Sequence, residues 1–277
     1  MAKSPATGGS KGGGKPGGIA KYFDKALYYF EHPYRAVSSE SLILPPSSPQ
    51  ADINDLTASA TAPTHRRSYD SRVGGYYKFT KASSQSFELS LDLADDQSKI
   101  FVAALVRPRG DGALDSEYLF GGHTTEKALD WRIGTDRILA QTVTSAGSEV
   151  AQHAFERSMA GTWVLAMFSY ELNVGQKIGI NGSWLVTDLF SNTSLAGTGT
   201  VDCFIGFSGN AGEYFSGDVA FLGVGTSIPT ERQLRHIYWT IATGAELPPP
   251  SGHDFPPPGD DPSDGSSLRN MPLLGVG

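Results

Sequence analysis

The sequence has few of the features that mark membrane, disulfide-bonded or zinc-binding proteins. It contains one cysteine, Cys203, which excludes an internal disulfide and a cysteine-based zinc site. No run approaches the roughly 20 apolar residues that a membrane-spanning helix requires, and the opening MAKSPATGGSKGGGK has no apolar segment of the kind found in signal peptides. We therefore expect synthesis in a reducing compartment, no membrane contact and no Sec-type export.

Proline is nearly absent from the middle of the chain. Of the 17 prolines, only Pro108 and Pro229 lie between residues 64 and 247. The formal charge of −7 favours solubility and argues against bulk binding of nucleic acid. Composition predicts four segments, which are a Gly/Lys-rich flexible tail over 1–18, a short amphipathic helix plus an extended arm over 19–75, a sandwich domain over 76–243 and a Pro-rich acidic arm over 244–277.

The middle segment has the hydrophobic periodicity of β-strands. FELSLDL at 87–93 alternates apolar and polar residues, as a half-buried strand does. KIFVAALVR at 99–107 is apolar almost throughout and predicts a central strand covered on both faces. Further short runs follow, separated by Gly, Ser, Asn and Asp. The pattern predicts an all-β fold, a two-sheet antiparallel jelly-roll sandwich with one short C-terminal helix, flanked by extended N- and C-terminal arms.

Two local motifs support this prediction. Asn181-Gly182 lies between two strand-like runs and predicts a two-residue hairpin turn. Thr230 and Gln233 have the spacing of a capping box, and they precede apolar residues at helical spacing. The predicted buried stripe of this helix is Leu234, Ile237, Tyr238 and Ile241.

The order of these elements resembles the laminin-G-like / concanavalin A-like lectin-glucanase superfamily over residues 76–243. The matching positions are Trp163, Asn181, Gly182, Gly206, Phe215, Gly217 and Thr230. These residues are structural, so the resemblance implies a jelly-roll fold and carries no activity with it. Glucanases of this superfamily use a Glu-x-Asp-x-x-Glu strand, whereas the nearest run here, Glu88 to Asp92, lacks that spacing. We therefore predict no catalytic residue and no enzyme activity.

No cofactor or metal site is assigned from the sequence. Lectins of this superfamily often hold calcium with loop carboxylates, and candidates occur at Asp92, Asp95, Asp96, Asp111, Asp115, Glu213 and Asp218. Loop acids are usually solvated turn residues, so none of them is named as a ligand. Trp184 beside the hairpin tip and Tyr214 in a Gly-rich loop are the candidates for stacking on a sugar ring.

The flanking segments carry small apolar clusters that they cannot bury by themselves. The amphipathic stretch at 19–31 needs either this chain's own body or a partner subunit, and the sequence leaves both open. The candidate docking residues are Ile19, Tyr22, Phe23, Leu27, Phe30, Leu42, Ile43, Leu44, Leu273 and Leu274.

These clusters favour a structural subunit of a large assembly as the first hypothesis. It is a non-enzymatic component of a phage particle, such as a decoration, tail or fibre-attachment protein, made in the host cytoplasm and located in the virion. Its partners would be copies of itself or capsid or tail proteins. The alternative is a glycan-binding adhesin whose sandwich recognises host or surface polysaccharide.

Overall fold

The described part of the chain forms two antiparallel sheets and one α-helix, which confirms the predicted sandwich. The structure is a computed structural model. It describes residues 19–24, 26–29, 36–38, 41–42, 56–58, 61–67, 75–92, 99–109, 117–123, 129–144, 147–190, 200–207 and 213–243.

Each sheet combines consecutive strands paired as hairpins with strands that are distant in sequence. Sheet A contains β1 (Ala26–Tyr29), β5 (Thr64–Arg67), β6 (Gly75–Phe79), β8 (Lys99–Pro108), β13 (Val164–Glu171), β14 (Gly175–Ile180), β15 (Ser183–Leu189) and β17 (Gly217–Gly225). Sheet B contains β2 (Ala36–Ser38), β3 (Ser41–Leu42), β4 (Leu56–Ala58), β7 (Phe87–Asp92), β9 (Tyr118–His123), β10 (Leu129–Ile133), β11 (Arg137–Thr144), β12 (Gly147–Ala154) and β16 (Thr200–Ile205).

The strand order shows many crossovers between the sheets. Sheet A runs β15-β14-β13-β8-β17-β6-β5, with β1 also paired to β17, and sheet B runs β12-β11-β10-β9-β16-β7-β4-β3-β2. Helix α1 (Glu231–Thr243) follows β17, and two 3-10 turns occupy Ile19–Tyr22 and Lys81–Ser83.

The inner core lies between the two sheets and is centred on aromatic rings. Trp131 is fully buried and stacks on Phe168 at a centroid distance of 5.0 Å and on Phe120 at 5.3 Å. The alternating residues of β8, from Ile100 to Val106, face this core. Burial of aromatic and branched side chains from both sheets stabilises the sandwich.

A second core covers the outer face of sheet A. The remaining alternate residues of β8, which are Phe101, Ala103 and Leu105, pack there with the buried stripe of α1. Strand β8 is therefore buried on both faces, as predicted from its uninterrupted apolar sequence.

The hairpin and helix motifs form as predicted. Asn181 and Gly182 have positive φ angles of 50° and 87° and join β14 to β15. The backbone N–H of Thr230 donates to Gln233 Oε1 at 2.8 Å, and the Gln233 N–H donates back to Thr230 Oγ1 at 3.4 Å. Leu234 is fully buried below this capping box, so the helix is anchored at its first turn.

Within residues 19–31, the described residues 19–24 and 26–29 form a 3-10 turn and a strand in place of the predicted amphipathic helix. Ile19–Tyr22 is a 3-10 turn, and β1 pairs antiparallel with β17 from Ala26 opposite Val224 to Tyr29 opposite Phe221. Strand β6 pairs with β17 only as far as Val219, so β1 provides partners for the backbone groups further along that edge. This pairing outweighs the propensity of a helix of about 13 residues, which is marginal alone.

Three of the predicted docking residues are buried in the chain's own outer layer, which is one of the two arrangements that the sequence left open. Ile19 is 3% exposed, Tyr22 is 5% exposed and Phe23 is fully buried. The ring of Phe23 packs against Phe101 and over Gly223, where a Cβ atom would overlap it.

The sheets also begin earlier than the predicted boundary at residue 76. Strands β1 to β5 come from the segment 19–75, and β5 pairs antiparallel with β6 along four residues. Leu27 lies in β1 and Leu42 lies in β3. Phe30, Ile43, Leu44, Leu273 and Leu274 fall outside the described residues, as do the predicted tail 1–18 and arm 244–277.

Candidate functional site

Charged side chains gather at one end of the outer face of sheet A. Alternation along β8 places Arg107 on the same face as Phe101 and Leu105, just beyond the outer core. Asp218 of β17 lies directly opposite Arg107, and Lys78 of β6 lies directly opposite Asp218. Directly opposed residues of antiparallel strands share a face with Cβ atoms about 4.5–5.5 Å apart. Three strands thus bring these side chains into one row.

Asp218 joins two arginines. Its Oδ2 accepts a hydrogen bond from Arg107 Nε at 2.8 Å and another from Arg109 Nε at 2.6 Å. The Asp218 side chain is fully buried, and a buried carboxylate is strongly destabilising unless it is paired in this way. Its second oxygen, Oδ1, has no hydrogen-bond partner among the described residues. One acid and two guanidinium groups leave a net positive charge.

The local chain geometry explains why both arginines reach the same carboxylate. Arg107 and Arg109 are two residues apart at the end of β8, so they point to the same face while Pro108 points to the other. The Arg109 N–H donates to the Ser216 carbonyl at 3.0 Å, which continues the pairing of this chain end with the start of β17. Asp218 therefore lies opposite one arginine and diagonal to the other.

Aromatic rings hold the Arg107 side chain in place. Its guanidinium carbon lies 5.0 Å from the centroid of the Tyr76 ring and 4.7 Å from that of the Trp163 ring. The two rings are 5.7 Å apart in an edge-to-face arrangement. Cation–π attraction and the ion pair together fix the orientation of the guanidinium. Arg109 has no such ring contact in the described part of the chain, and its side chain is 41% exposed.

Two further basic residues extend this surface. Lys78 is half-buried on β6, and Arg66, which is exposed on β5, lies opposite Tyr76. We call the group formed by Arg66, Tyr76, Lys78, Arg107, Arg109, Trp163 and Asp218 the outer basic patch. It holds four basic side chains and one acid, in a chain of formal charge −7. A concentration of positive charge on an acidic protein attracts anionic ligands to that position.

A second polar cluster lies on the outer face of sheet B. Arg132 Nη2 donates to Asp130 Oδ2 and to Gln141 Oε1, both at 3.1 Å. The Arg132 guanidinium also lies 4.2 Å from the centroid of the Tyr118 ring. Burial, together with the negative charge of Asp130, raises the pKa of the Tyr118 hydroxyl. Because Asp130 neutralises Arg132 within the cluster, this arrangement is better suited to holding the sheet together than to binding a charged ligand.

The two predicted sugar-stacking residues occupy separate places. Trp184 is half-buried in the outer layer of sheet A, where its ring meets Phe101 edge-on at 6.3 Å. Tyr214 is half-buried beyond the end of β16 and stacks on Phe207 at 4.5 Å. The structure brings neither residue into the outer basic patch.

The sequence interpretation missed the patch because its members were classified separately. Trp163 was assigned as a fold marker and Asp218 as a loop acid with calcium potential. The available signal was Arg107-Pro108-Arg109, two arginines with strand spacing at the end of an apolar strand. That spacing indicates that the two arginine side chains share one face of the sheet. Their partners on β6 and β17, Tyr76 and Asp218, are determined only by the pairing of the strands.

The described residues offer little evidence for other kinds of functional site. They contain no group of three or more His, Cys, Asp or Glu side chains able to hold a metal ion. Asp95, Asp96, Asp111 and Asp115 fall outside them, and Asp218 is bound by the two arginines. No helix in the described ranges is long and apolar enough to cross a membrane.

Comparison with known proteins gives structural matches only. No protein-family model matches the sequence, and no curated protein matches it. Among solved structures, the binding domain of botulinum neurotoxin DC in complex with SialylT has a TM-score of 0.57 at 6% identity, covering 80% of this chain and 52% of that one. The ligand-binding domain of botulinum neurotoxin serotype D in complex with N-acetylneuraminic acid has a TM-score of 0.55 at 9% identity, covering 80% and 52%.

A third match is the binding domain of botulinum neurotoxin serotype G, with a TM-score of 0.52 at 11% identity, covering 67% of this chain and 46% of that one. This chain thus spans about half the length of the structures that it matches. At such low identity the likeness establishes the fold alone, a two-sheet β-sandwich, and the matched proteins are described as binding domains.

Proposed function

We propose that this chain is a non-enzymatic carbohydrate-binding domain and that the outer basic patch is its binding surface. The observation that carries the proposal is the pair of guanidinium groups joined by Asp218, one of which, that of Arg107, is held against two aromatic rings. Sugar-binding sites combine aromatic surface with a few oriented hydrogen-bond donors. The patch offers donors from both arginines and aromatic surface from the half-buried Tyr76, while Trp163 is buried and holds Arg107.

The matched structures support the same class of ligand. One of them is a complex with N-acetylneuraminic acid, and another matched structure, at 7% identity, concerns botulinum neurotoxin type C, whose cell entry is dependent upon interaction with two ganglioside molecules. N-acetylneuraminic acid and gangliosides both carry carboxylated sugar. A basic surface on an acidic chain fits ligands of that charge.

The hypothesis of a virion subunit has less support. It depended on apolar residues that dock on neighbouring molecules, yet Ile19, Tyr22 and Phe23 are buried against this chain's own sheet. None of the structures compared above is described as a virion component.

Binding of the full chain to an array of oligosaccharides tests the proposal. We expect retention of a subset of glycans, and we expect no release of reducing ends from the retained sugars. Parallel arrays with Arg109→Gln and Tyr214→Ala locate the surface, because loss on Arg109→Gln alone supports the patch and loss on Tyr214→Ala alone supports the loop site. Failure to bind any glycan on the array would refute the carbohydrate-binding proposal.

A further inference from the structure

We infer that the outer basic patch recognises the carboxylate of an acidic sugar, with the free edges of Arg107 and Arg109 as the two hydrogen-bond donors. This inference rests on the proposed function and names the chemical group that the domain reads. Two kinds of sugar carry such a group, sialic acids and uronic acids, and both present the same planar carboxylate.

The first argument concerns which donors are occupied. Each arginine donates a hydrogen bond from its Nε to Asp218, and neither guanidinium has a further hydrogen bond within the described residues. A guanidinium has five N–H groups, so the terminal Nη nitrogens of both side chains remain available. Because both Nε atoms contact the same carboxylate oxygen, the two guanidinium groups are close enough for one small planar anion to bridge them.

The second argument concerns charge. Two arginines and one aspartate have a net charge of one, which matches a single carboxylate. The Arg107 side chain is 21% exposed, so it is largely shielded from water but still partly accessible. Charge-assisted hydrogen bonds in such a setting are stronger than those between fully hydrated groups.

The third argument concerns preorganisation. Tyr76 and Trp163 hold Arg107, and Asp218 holds both Nε atoms, so little side-chain freedom remains to be lost when a ligand binds. Asp218 is thus a positioning residue, because it orients the donors without facing the ligand itself. Lys78 on β6 and Arg66 on β5 lie one and two strands away from Asp218. They supply further hydrogen-bond donors for neighbouring hydroxyl or acid groups of the ligand.

The experiment compares four oligosaccharides by isothermal titration of the full chain. They are a sialylated oligosaccharide, the same oligosaccharide without its sialic acid, a glucuronate-terminated oligosaccharide, and the sialylated one with its carboxylate reduced to an alcohol. We expect the two carboxylated ligands to bind at least about tenfold more tightly than the uncharged ones, since the uncharged ligands cannot form the charge-assisted hydrogen bonds to the two arginines. The ratio of the affinity for the sialylated oligosaccharide to that for the glucuronate-terminated one identifies the sugar that supplies the carboxylate.

Three single-residue variants distinguish a planar, paired hydrogen-bond contact with the carboxylate from general electrostatic attraction. Arg109→Gln is expected to abolish the preference for carboxylated ligands, and Arg109→Lys is expected to restore only part of it, because lysine keeps the charge and loses the planar fork. Arg137→Gln is the matched control, since Arg137 is a similarly exposed arginine, 44% exposed, on the other sheet. It should bind like the unmodified chain.

Three results would overturn the inference while leaving carbohydrate binding intact. The first is equal affinity for the carboxylated and reduced ligands, and the second is an unchanged preference for carboxylated ligands in Arg109→Gln. The third, measured with a sulfated analogue titrated as a fifth ligand, is tighter binding to that analogue than to either carboxylated ligand. Absence of binding to all four ligands, with none found on the array, would remove the proposed function together with the inference.

Discussion

Phe23 is the residue on which the docking of the N-terminal segment most depends. Its ring is fully buried, stacks on Phe101 at 5.7 Å, meets Phe221 edge-on at 5.5 Å and covers the bare backbone of Gly223. Replacing a buried phenylalanine with alanine typically costs about 3–5 kcal/mol, since burial and ring contacts are lost and a cavity remains. Phe23 belongs to the outer core rather than to the core between the sheets, so we take the lower end of this range and expect Phe23→Ala to lower the free energy of unfolding by about 3 kcal/mol.

Urea unfolding of the full chain, followed by tryptophan fluorescence, measures this loss. Leu189→Ala is the matched control, because Leu189 is 72% exposed and surface substitutions usually change stability by less than about 0.5 kcal/mol. A Phe23→Ala protein as stable as the Leu189→Ala protein would refute the packing of residues 19–29 onto sheet A. It would also restore these residues as free docking elements.

Two further predictions concern single side chains. Burial raises the pKa of Tyr77 from 10.0 to about 12, so the stability that neutral Tyr77 contributes is complete below pH 10 and is lost as the pH rises through 12. The free energy of unfolding should fall by up to about 3 kcal/mol over that pH range, and it should fall by less in the Tyr77→Phe variant. The titration is followed by tyrosinate absorbance. Thr230→Ala should cost about 1 kcal/mol in thermal unfolding through loss of the helix cap. The same substitution combined with Gln233→Ala should cost less than the sum of the two, because each residue caps the other; full additivity would contradict the capping box.

Much of the sandwich was predictable because its signals are local. The uninterrupted apolar run of β8 predicted burial on both faces, and the chain has α1 and the N-terminal turn on one side of that strand and sheet B on the other. The Asn181-Gly182 turn and the Thr230 cap were predictable for the same reason, since each depends on residues within four positions of one another.

The N-terminal segment was not predictable in this way. Residues 19–31 have helical spacing, but the free edge of β17 beyond Val219 and the bare surface at Gly223 exist only once the sheet has formed. Likewise, Arg107 and Arg109 share a face by strand alternation alone, whereas their contacts with Tyr76, Trp163 and Asp218 require strands separated by tens of residues to pair in register. Hydrophobic periodicity and turn chemistry act within a few residues, and the sequence therefore determines the strands, turns and helix by itself. Long-range strand pairing decides which side chains meet and where the positive charge of this acidic chain is concentrated.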